Sequence, residues 1–482
     1  MARVPARVVS FVLLLGSAVT AQVDRYELGL RLRDFERQLA AAPAATPEDA
    51  KRRDAAFAQM DRAVQAFFRL DTKTVAIAID AASLALRGGD TLAGEKPARS
   101  LQLDAGPRLV PQGQATLALC VRPAYPTGEA CPPGLVVRVW IDGTADAVVE
   151  QELGDLDATP EVTFALPIAA VPAGDHLLRW TVRRGENVLV TRWQGLSVGK
   201  DLSARLAKLE ALPEANEKTL ESLTLAAHRK VLGALQRKRS EETVLPGTRL
   251  LDEAEAIAAM PANGRYYDAA RAGQFWLRVP TGKSAETVRL FAPPTREGAG
   301  KQPIVVAMHG AGGSENLFFD GYGDGEVVRQ CAQRGWFCVA PRAGLGGGAD
   351  VPALLAELAT RWPIDLDRVL VVGHSMGAAM AIGTVMREPA RYRAVAALGG
   401  GCNVRRGARL DATRFFVGYG TRDFLRSSAQ QLERALTDAN APLTRREYEG
   451  VEHLAIVQIA LPDVVTFFDA ALSPAAGSGA PR

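Results

Sequence analysis

The sequence predicts an α/β fold for the C-terminal part of the chain, with a mostly parallel sheet covered on both faces. Strand and helix patterns alternate from about residue 264 to residue 472. Within this stretch, the β-branched run 369–372 passes through a Gly-rich turn into an Ala-rich helical pattern. Before residue 264 the patterns are helical or period-two, which predicts helical segments and a β-sandwich ahead of the α/β domain.

Composition and charge exclude several classes of protein. The chain has 482 residues, of which 48% are hydrophobic and 23% charged, so it is long enough for several domains of ordinary soluble composition. The formal net charge of +3 is small for this length, and no basic stripe is interleaved with aromatic residues. We therefore expect no nucleic-acid partner.

The N-terminus has the pattern of a secretory signal. Arg3 and Arg7 supply positive charge, residues 8–15 form a short apolar run, and residues 19–21 form a cleavage site. We predict a signal peptide over residues 1–21 and a secreted or periplasmic protein. The apolar run is shorter than a bilayer needs and no other segment is long enough, so no stable membrane insertion is expected.

Five cysteines in an exported chain favour disulfide pairing. Cys120 and Cys131 flank a Pro/Gly-rich loop, and Cys331 and Cys338 flank a helix-to-strand turn. We predict these two pairs as disulfides, with Cys402 left free.

Helical spacing occupies residues 22–97 and 200–263. Apolar residues recur there at three-to-four-residue intervals, as in Leu28, Leu32 and Phe35. We predict a helical N-terminal region and a helical connector, and assign no chemistry to either. We interpret the basic residues 237–239 as cations that complement the dipole at a helix C-terminus. Residues 473–482 are small and are predicted to form a flexible tail.

Residues 98–199 change to period-two alternation, with Gly, Pro and Asp between short segments. This pattern predicts an immunoglobulin-like β-sandwich. The sandwich could bind carbohydrate, a partner protein or the neighbouring domain, and the sequence does not distinguish these roles.

Residues 264–472 carry the α/β pattern. We predict an antiparallel opening pair at 275–279 and 287–291, with further strands at 304–308, 337–340, 369–372, 394–398, 415–419 and 443–448. Helices are predicted at 326–333, 351–360, from 378 onward, at 429–438 and at 463–472. No insertion between residues 394 and 415 has the character of a lid, which predicts an open site.

The turn Gly373-His374-Ser375-Met376-Gly377 is the strongest functional signal in the chain. A serine between two glycines, where a strand turns sharply into a helix, is held in a strained backbone conformation that exposes its hydroxyl. The following helix N-terminus favours the negative charge that develops when a carbonyl is attacked. Ser375 is therefore the candidate nucleophile.

A serine hydroxyl needs a base within hydrogen-bond reach, and the chain has five histidines. His176 falls in the predicted sandwich and His228 in the helical connector. His309 ends a strand, and His374 is expected to point away from the hydroxyl. His453 remains, in a loop after the last strand, where its side chain can return to the carboxyl edge of the sheet.

The base in turn needs a carboxylate that orients its ring. Asp423 follows a strand and precedes a helix, which places it at the same edge of the sheet. Asp411 comes before its strand, at the wrong end, and Glu452 neighbours His453 too closely to face its ring easily. We predict Asp423.

Two backbone amides should converge on the developing oxyanion. One is that of Met376. The other should come from the Gly-rich loop after strand 304–308, most simply from Ala311 or Gly312.

The order Ser375, Asp423, His453, with a His-Gly loop before the nucleophile, resembles the α/β-hydrolases. The loop HGAGGSENLF, residues 309–318, is similar to the branch of esterases, phospholipase/carboxylesterases and polyhydroxybutyrate depolymerases. The resemblance covers residues 264–472, under half of the chain. No repeated blade motifs of the propeller of prolyl-oligopeptidase-like peptidases are found.

This resemblance implies a secreted serine esterase that forms an acyl-enzyme on Ser375, with no cofactor and no metal. Its substrate would be a small-molecule or polymeric ester. Two alternatives remain open: a serine peptidase of prolyl-oligopeptidase-like type using the same residues, and a non-catalytic binding protein with a degenerate hydrolase domain.

Overall fold

The computed structural model describes residues 23–473, except residues 43, 145–147, 158, 215–217, 238–241, 262–263, 283, 295–297, 299, 345–347 and 406. The predicted signal peptide, most of the predicted tail and most of the basic cluster 237–239 lie outside these residues. Within the described part of the chain, no helix combines the length and the apolar content that crossing a membrane requires.

Four helices begin the described chain: α1 (Arg25–Ala41), α2 (Pro47–Phe68), α3 (Thr72–Arg87) and α4 (Glu95–Ser100). The first three start where the sequence supplies a cap. The side chains of Asp24, Thr46 and Asp71 each accept a hydrogen bond from the backbone amide three residues later. Between α2 and α3 the chain reverses through Leu70, whose φ is 60°.

Eight strands follow: β1 (Leu101–Asp104), β2 (Leu109–Pro111), β3 (Thr116–Pro123), β4 (Leu135–Ile141), β5 (Val148–Glu152), β6 (Val162–Pro167), β7 (Gly174–Arg184) and β8 (Asn187–Gly199). They form a three-stranded sheet of order β1-β3-β6 and a five-stranded sheet of order β2-β8-β7-β4-β5. Alternate residues of β4 are buried, as period-two patterning requires. Their side chains join one apolar core shared with the other sheet.

The immunoglobulin-like type that the sequence predicted for this region is not supported. The five-stranded sheet is mixed, because β2 pairs with β8 in parallel while the other neighbours are antiparallel. Alternating hydrophobicity predicts strands and a buried face, but it carries no information on strand order.

Three helices connect this region to the last domain: α5 (Leu202–Glu210), α6 (Leu220–Gln236) and α7 (Gly247–Ala258). Their leucines, among them Leu206, Leu232 and Leu251, form a small core of their own.

The C-terminal domain contains the strands β9 (Gly273–Thr281), β10 (Ser284–Ala292), β11 (Gln302–Met308), β12 (Phe337–Pro341), β13 (Ile364–His374), β14 (Tyr392–Leu398), β15 (Arg414–Gly420) and β16 (Leu443–Tyr448). Its helices are α8 (Glu326–Arg334), α9 (Val351–Ala359), α10 (Met376–Arg387), α11 (Arg426–Asp438) and α12 (Ile456–Leu472). The strand order is β16-β15-β14-β13-β11-β12-β10-β9. The pairs β9–β10 and β10–β12 are antiparallel, and all other neighbours are parallel.

This sheet is covered on both faces. Leu370 and Val372 of β13 face a core shared with α8 and α12, whereas Val369 and Val371 face a core shared with α9, α10 and α11. A strand buried on both faces is apolar at successive positions, which explains the unbroken run at 369–372. The parallel strands end at one edge, where the loops after β11, β13, β15 and β16 meet.

The N-terminal helices pack on the C-terminal domain. Phe35 of α1 and Met60 of α2 are fully buried in the same core as Phe318 and Val457. Gln458 of α12 donates a hydrogen bond of 3.1 Å to the carbonyl of Glu36. Residues more than 400 positions apart therefore share one core.

A buried ion cluster, defined here as Glu27, Arg31, Asp80 and Arg192, joins the same helices to the β region. Arg192 of β8 lies 2.7 Å from Asp80 of α3 and 3.2 Å from Glu27 of α1. Arg31 of α1 pairs with Asp80 and with Glu27. All four side chains are at least nine-tenths buried, so α1 and α3 are held between the two neighbouring regions.

The predicted disulfides are absent: all five cysteines are free thiols. Sγ of Cys120 lies 3.7 Å from the carboxylate of Glu161, its hydrogen-bond partner. A hydrogen bond to Cys331, together with burial, raises the pKa of Cys338 well above its ordinary value. The spacing thus brings the thiols of Cys331 and Cys338 into contact, but contact alone does not supply the geometry of a disulfide.

Candidate active site

Ser375 lies at the junction of β13 and α10 in a strained conformation. Its φ of 56° and ψ of −119° lie outside the regions that ordinary side chains favour. A Cβ at Gly373 would overlap the carbonyl of Gly377, and a Cβ at Gly377 would overlap the carbonyl of Met308. The two glycines are thus required for the close packing of β11, β13 and α10 that creates the turn.

The structure brings Ser375, His453 and Asp423 together. Nε2 of His453 lies 2.9 Å from Oγ of Ser375, and Nδ1 of His453 lies 2.8 Å from Oδ1 of Asp423. Asp423 follows β15 and His453 follows β16, so neighbouring parallel strands deliver both side chains to the same edge. All three residues are buried. With Nδ1–H donated to the carboxylate, Nε2 is free to accept the serine proton.

The rival residues are placed elsewhere. Asp411 is exposed. Glu452 is buried and accepts hydrogen bonds from the amides of Leu454 and Ala455. Burial raises the pKa of Glu452 to about 8. Its carboxyl therefore stabilises the turn into α12 and does not orient the His453 ring.

Three of the other histidines have partners of their own. His176 and His228 contact the carbonyls of Pro172 and Trp276. His309 contacts the carbonyl of Gly310 through Nδ1 and accepts a hydrogen bond of 3.0 Å from the amide of Ala343 through Nε2. His309 thus holds the backbone of its own loop.

The sequence did not predict the hydrogen bonds that His374 makes with Tyr322 and with the backbone of His453. Nδ1 of His374 accepts a hydrogen bond of 2.6 Å from the Tyr322 hydroxyl, and Nε2 donates one of 2.7 Å to the carbonyl of His453. Burial lowers the pKa of His374 well below its ordinary value, so its ring is neutral. His374 points away from the Ser375 hydroxyl, as expected, but it fixes the backbone of His453. No sequence signal marks Tyr322.

The residues predicted as amide donors lie next to Ser375 in the chain or line the same cavity. Met376 is the first residue of α10, directly after Ser375. A Cβ at Gly310 would lie 3.3 Å from Cβ of Ser375, so the loop after β11 passes beside the nucleophile. Ala311 and Gly312 line the same cavity as Ser375. The carbonyl of Gly312 accepts a hydrogen bond of 2.8 Å from Arg25, which turns that carbonyl toward α1.

A cavity of about 170 Å³ opens beside Ser375. Its far wall is built by α1, α2 and α3, so helices from outside the C-terminal domain cover part of the site, and the expectation of an open site stays a prediction. The apolar wall includes Leu28, Leu32, Met60, Ala63, Phe67 and Ile79. The helical spacing of these residues marks an apolar face, but no sequence signal places that face over the nucleophile.

Among the residues that the structure describes, no group of three or more His, Cys, Asp or Glu side chains is arranged to hold a metal ion.

The sheet and the nucleophile turn define an α/β-hydrolase. Residues 351–472 match the family model of phospholipase/carboxylesterases. The C-terminal domain therefore has the α/β-hydrolase fold that the sequence predicted, and over residues 351–472 it is similar to the phospholipase/carboxylesterases. No curated protein matches the chain.

Solved structures similar to the chain include serine hydrolases and esterases. A fluorophosphonate-binding serine hydrolase of Staphylococcus aureus is 12% identical, with a TM-score of 0.35, over 40% of this chain and 96% of the other. An S-formylglutathione hydrolase of Agrobacterium tumefaciens is 17% identical, with a TM-score of 0.35, over 42% and 95%. A ferulic acid esterase is 18% identical, with a TM-score of 0.35, over 40% and 96%.

Proposed function

We propose that the protein is a serine esterase that cleaves carboxylic esters through an acyl-enzyme on Ser375. The observation that carries the proposal is the 2.9 Å contact between Nε2 of His453 and Oγ of Ser375, with Asp423 on the other ring nitrogen. The phospholipase/carboxylesterase match of residues 351–472 supports an ester substrate.

In the proposed reaction, Nε2 of His453 takes the hydroxyl proton as Oγ of Ser375 bonds to the ester carbonyl carbon. The carbonyl electron pair moves to oxygen, where the amides of Met376 and of Ala311 or Gly312 donate to it. The bond to the alcohol oxygen then breaks, and that oxygen takes the proton from His453. Water attacks the acyl-enzyme by the same route and restores Ser375.

The first test is Ser375→Ala. Removing the nucleophile should lower the rate of p-nitrophenyl butyrate hydrolysis by roughly 10⁴-fold or more, because the remaining groups cannot replace an acyl-enzyme route. The control is Ser428→Ala, which removes a half-buried hydroxyl that donates a hydrogen bond to the carbonyl of Gly401. Circular dichroism should be unchanged in both variants. Wild-type activity in Ser375→Ala would reject the proposal.

Two further measurements separate the alternatives. Covalent labelling of Ser375 by a fluorophosphonate, seen by intact mass, would exclude a non-catalytic binding protein. A panel of aminoacyl p-nitroanilides beside p-nitrophenyl esters would distinguish a peptidase, since the two substrate sets share the leaving-group chromophore but differ in the bond cleaved.

We also propose that the protein is exported. The support is the pattern of Arg3 and Arg7 before the apolar residues 8–15. Expression of the full chain in a bacterium should give extracytoplasmic protein whose mass corresponds to cleavage after Ala21. Uncleaved protein confined to the cytoplasm would contradict this.

A further inference from the structure

The wall opposite Ser375 comes from outside the segment with family similarity. The match covers residues 351–472, whereas the wall comes from α1, α2 and α3. Met60, Ala63 and Ile79 are each less than 5% exposed although they face the cavity. The helices therefore form one packed wall of a cavity whose other side is open.

The wall is fixed to the loops that carry the reacting groups. Arg422, next to Asp423, donates to the carbonyl of Asp54 in α2 at 3.3 Å, and its guanidinium lies 3.8 Å from Asp61. At the other end, Arg25 of α1 holds the carbonyl of Gly312. These contacts set the distance between wall and nucleophile.

Each charged side chain at the cavity rim, among the residues that the structure describes, has an oppositely charged partner. Of the charged residues at its rim, Arg25 pairs with Glu242 at 3.2 Å and Arg33 with Asp324 at 3.1 Å. Asp320 pairs with Arg289. A charged group entering this space would lose its hydration without gaining a partner, which costs several kcal/mol. An apolar group is favoured instead.

The two sides of the ester can be assigned from His453. This residue returns its proton to the leaving alcohol, so the alcohol lies on the side of its ring. There Phe424, 51% exposed, packs on His453 with ring centroids 4.4 Å apart, and Phe68, 54% exposed, packs on Phe424 at 6.1 Å. Phe68 and His453 also line the cavity, so they mark its open, aromatic end. We place the alcohol at that end and the acyl group against the apolar wall of α1–α3.

We propose that α1–α3 form the acyl-binding wall of the site and limit its substrates to esters with an uncharged, apolar acyl chain of about six carbon atoms. The proposal rests on the proposed esterase function. The length follows from volume: an apolar cavity of about 150 Å³ accepts a molecule of the size of benzene, and this cavity measures about 170 Å³.

The test varies the acyl chain at a constant leaving group. We expect kcat/KM for p-nitrophenyl esters to be highest near hexanoate and to fall for acetate and for dodecanoate. Ala63→Leu fills the cavity and should lower the ratio of kcat/KM for hexanoate to that for acetate by about 10- to 100-fold, the usual discrimination for a crowded methylene. Met60→Ala enlarges the cavity and should move the optimum to longer chains.

The matched control is Ala66→Leu. Ala66 lies on the same helix and is 4% exposed, compared with 3% for Ala63, but it does not line the cavity. The substitution adds the same volume to the same packing layer and should leave the chain-length profile unchanged. Equal changes in the profiles of the Ala63 and Ala66 variants would overturn the proposal, as would a wild-type profile with no optimum.

A second readout keeps this test separate from the test of ester hydrolysis. The rate of Ser375 labelling by alkyl fluorophosphonates of two, six and twelve carbons reports on the cavity without ester turnover. If esters are cleaved but neither kcat/KM nor the labelling rate depends on chain length, the acyl wall is refuted and the proposed esterase activity is retained. If labelling peaks at six carbons while no ester is cleaved, the wall stands and the proposed reaction is refuted.

Discussion

At the scale of single residues, Asp423 receives two hydrogen bonds through one carboxylate oxygen. Oδ1 accepts from His453 Nδ1 at 2.8 Å and from the amide of Leu425 at 2.7 Å. Asp423→Asn keeps the shape but permits the wrong imidazole tautomer, so kcat for p-nitrophenyl butyrate should fall by about 10⁴-fold. The exposed Asp411→Asn is the control. An Asp423→Asn enzyme with near-normal kcat would show that another group orients the ring.

Tyr322 does not touch the reacting groups but contacts His374, which in turn holds the backbone of His453. In Tyr322→Phe, the buried Nδ1 of His374 loses its donor, which should lower the free energy of unfolding by about 1–3 kcal/mol. Because His374 holds the carbonyl of His453, kcat should fall as well. Urea unfolding and the pH profile of kcat are the measurements. Tyr448→Phe, which breaks a half-buried contact with Asp463, should leave that profile unchanged.

At the scale of elements, α1 buries the carboxyl of Glu36, which accepts a hydrogen bond of 3.0 Å from the amide of Gly323. Burial raises the pKa of Glu36 to about 8, and the nearby Glu452 contributes to the rise. The pKa of a glutamate in the unfolded chain is about 4.3. The native state therefore holds a proton that the unfolded chain has lost, and this contribution to stability is complete below pH 4.3 and is lost as the pH rises to 8.

Glu36→Gln tests this pH dependence, because it mimics the protonated carboxyl at every pH. Relative to wild type, its free energy of unfolding should improve from pH 5 to pH 8 by up to about 1.4 kcal/mol per pH unit. Glu48→Gln changes an exposed carboxyl on α2 and should show no such trend. A constant difference between Glu36→Gln and wild type across this range would contradict the assignment.

At the scale of the whole molecule, the buried ion cluster determines how firmly the helices join the β region. Asp80→Ala removes the partner shared by Arg31 and Arg192. Leaving buried guanidinium groups without that carboxylate should cost about 3–5 kcal/mol of stability. Asp90→Ala, at an exposed position beyond α3, should stay within about 0.5 kcal/mol. Thermal or urea unfolding measures both, and equal stabilities would refute a structural role for the cluster.

The sequence could predict those features whose geometry follows from local pattern. Ser375 and the two strand ends at Asp423 and His453 are of this kind, because parallel strands end at the same edge of a sheet. The apolar spacing of α1–α3 likewise predicted helices. It could not predict their partner, since an apolar stripe packs equally well against any complementary surface.

Contacts between distant residues account for the errors. The acyl wall depends on Phe67 meeting Gly312, and the order of the β sheets depends on β2 reaching β8. Neither contact produces a periodic pattern in the sequence from which it could be predicted. The cysteine spacing was also insufficient, because the Cys331 and Cys338 thiols meet without forming a disulfide.

The core shared by α1–α3 and α12 has a consequence for biosynthesis. Helices α1–α3 are made long before α12, so the part of their apolar faces that α12 covers is completed late, and contacts of such long sequence separation form slowly. During translation the nascent N-terminal helices would thus remain exposed to chaperones and proteases. Removing α12 should leave them permanently uncovered and direct the newly made chain to aggregation.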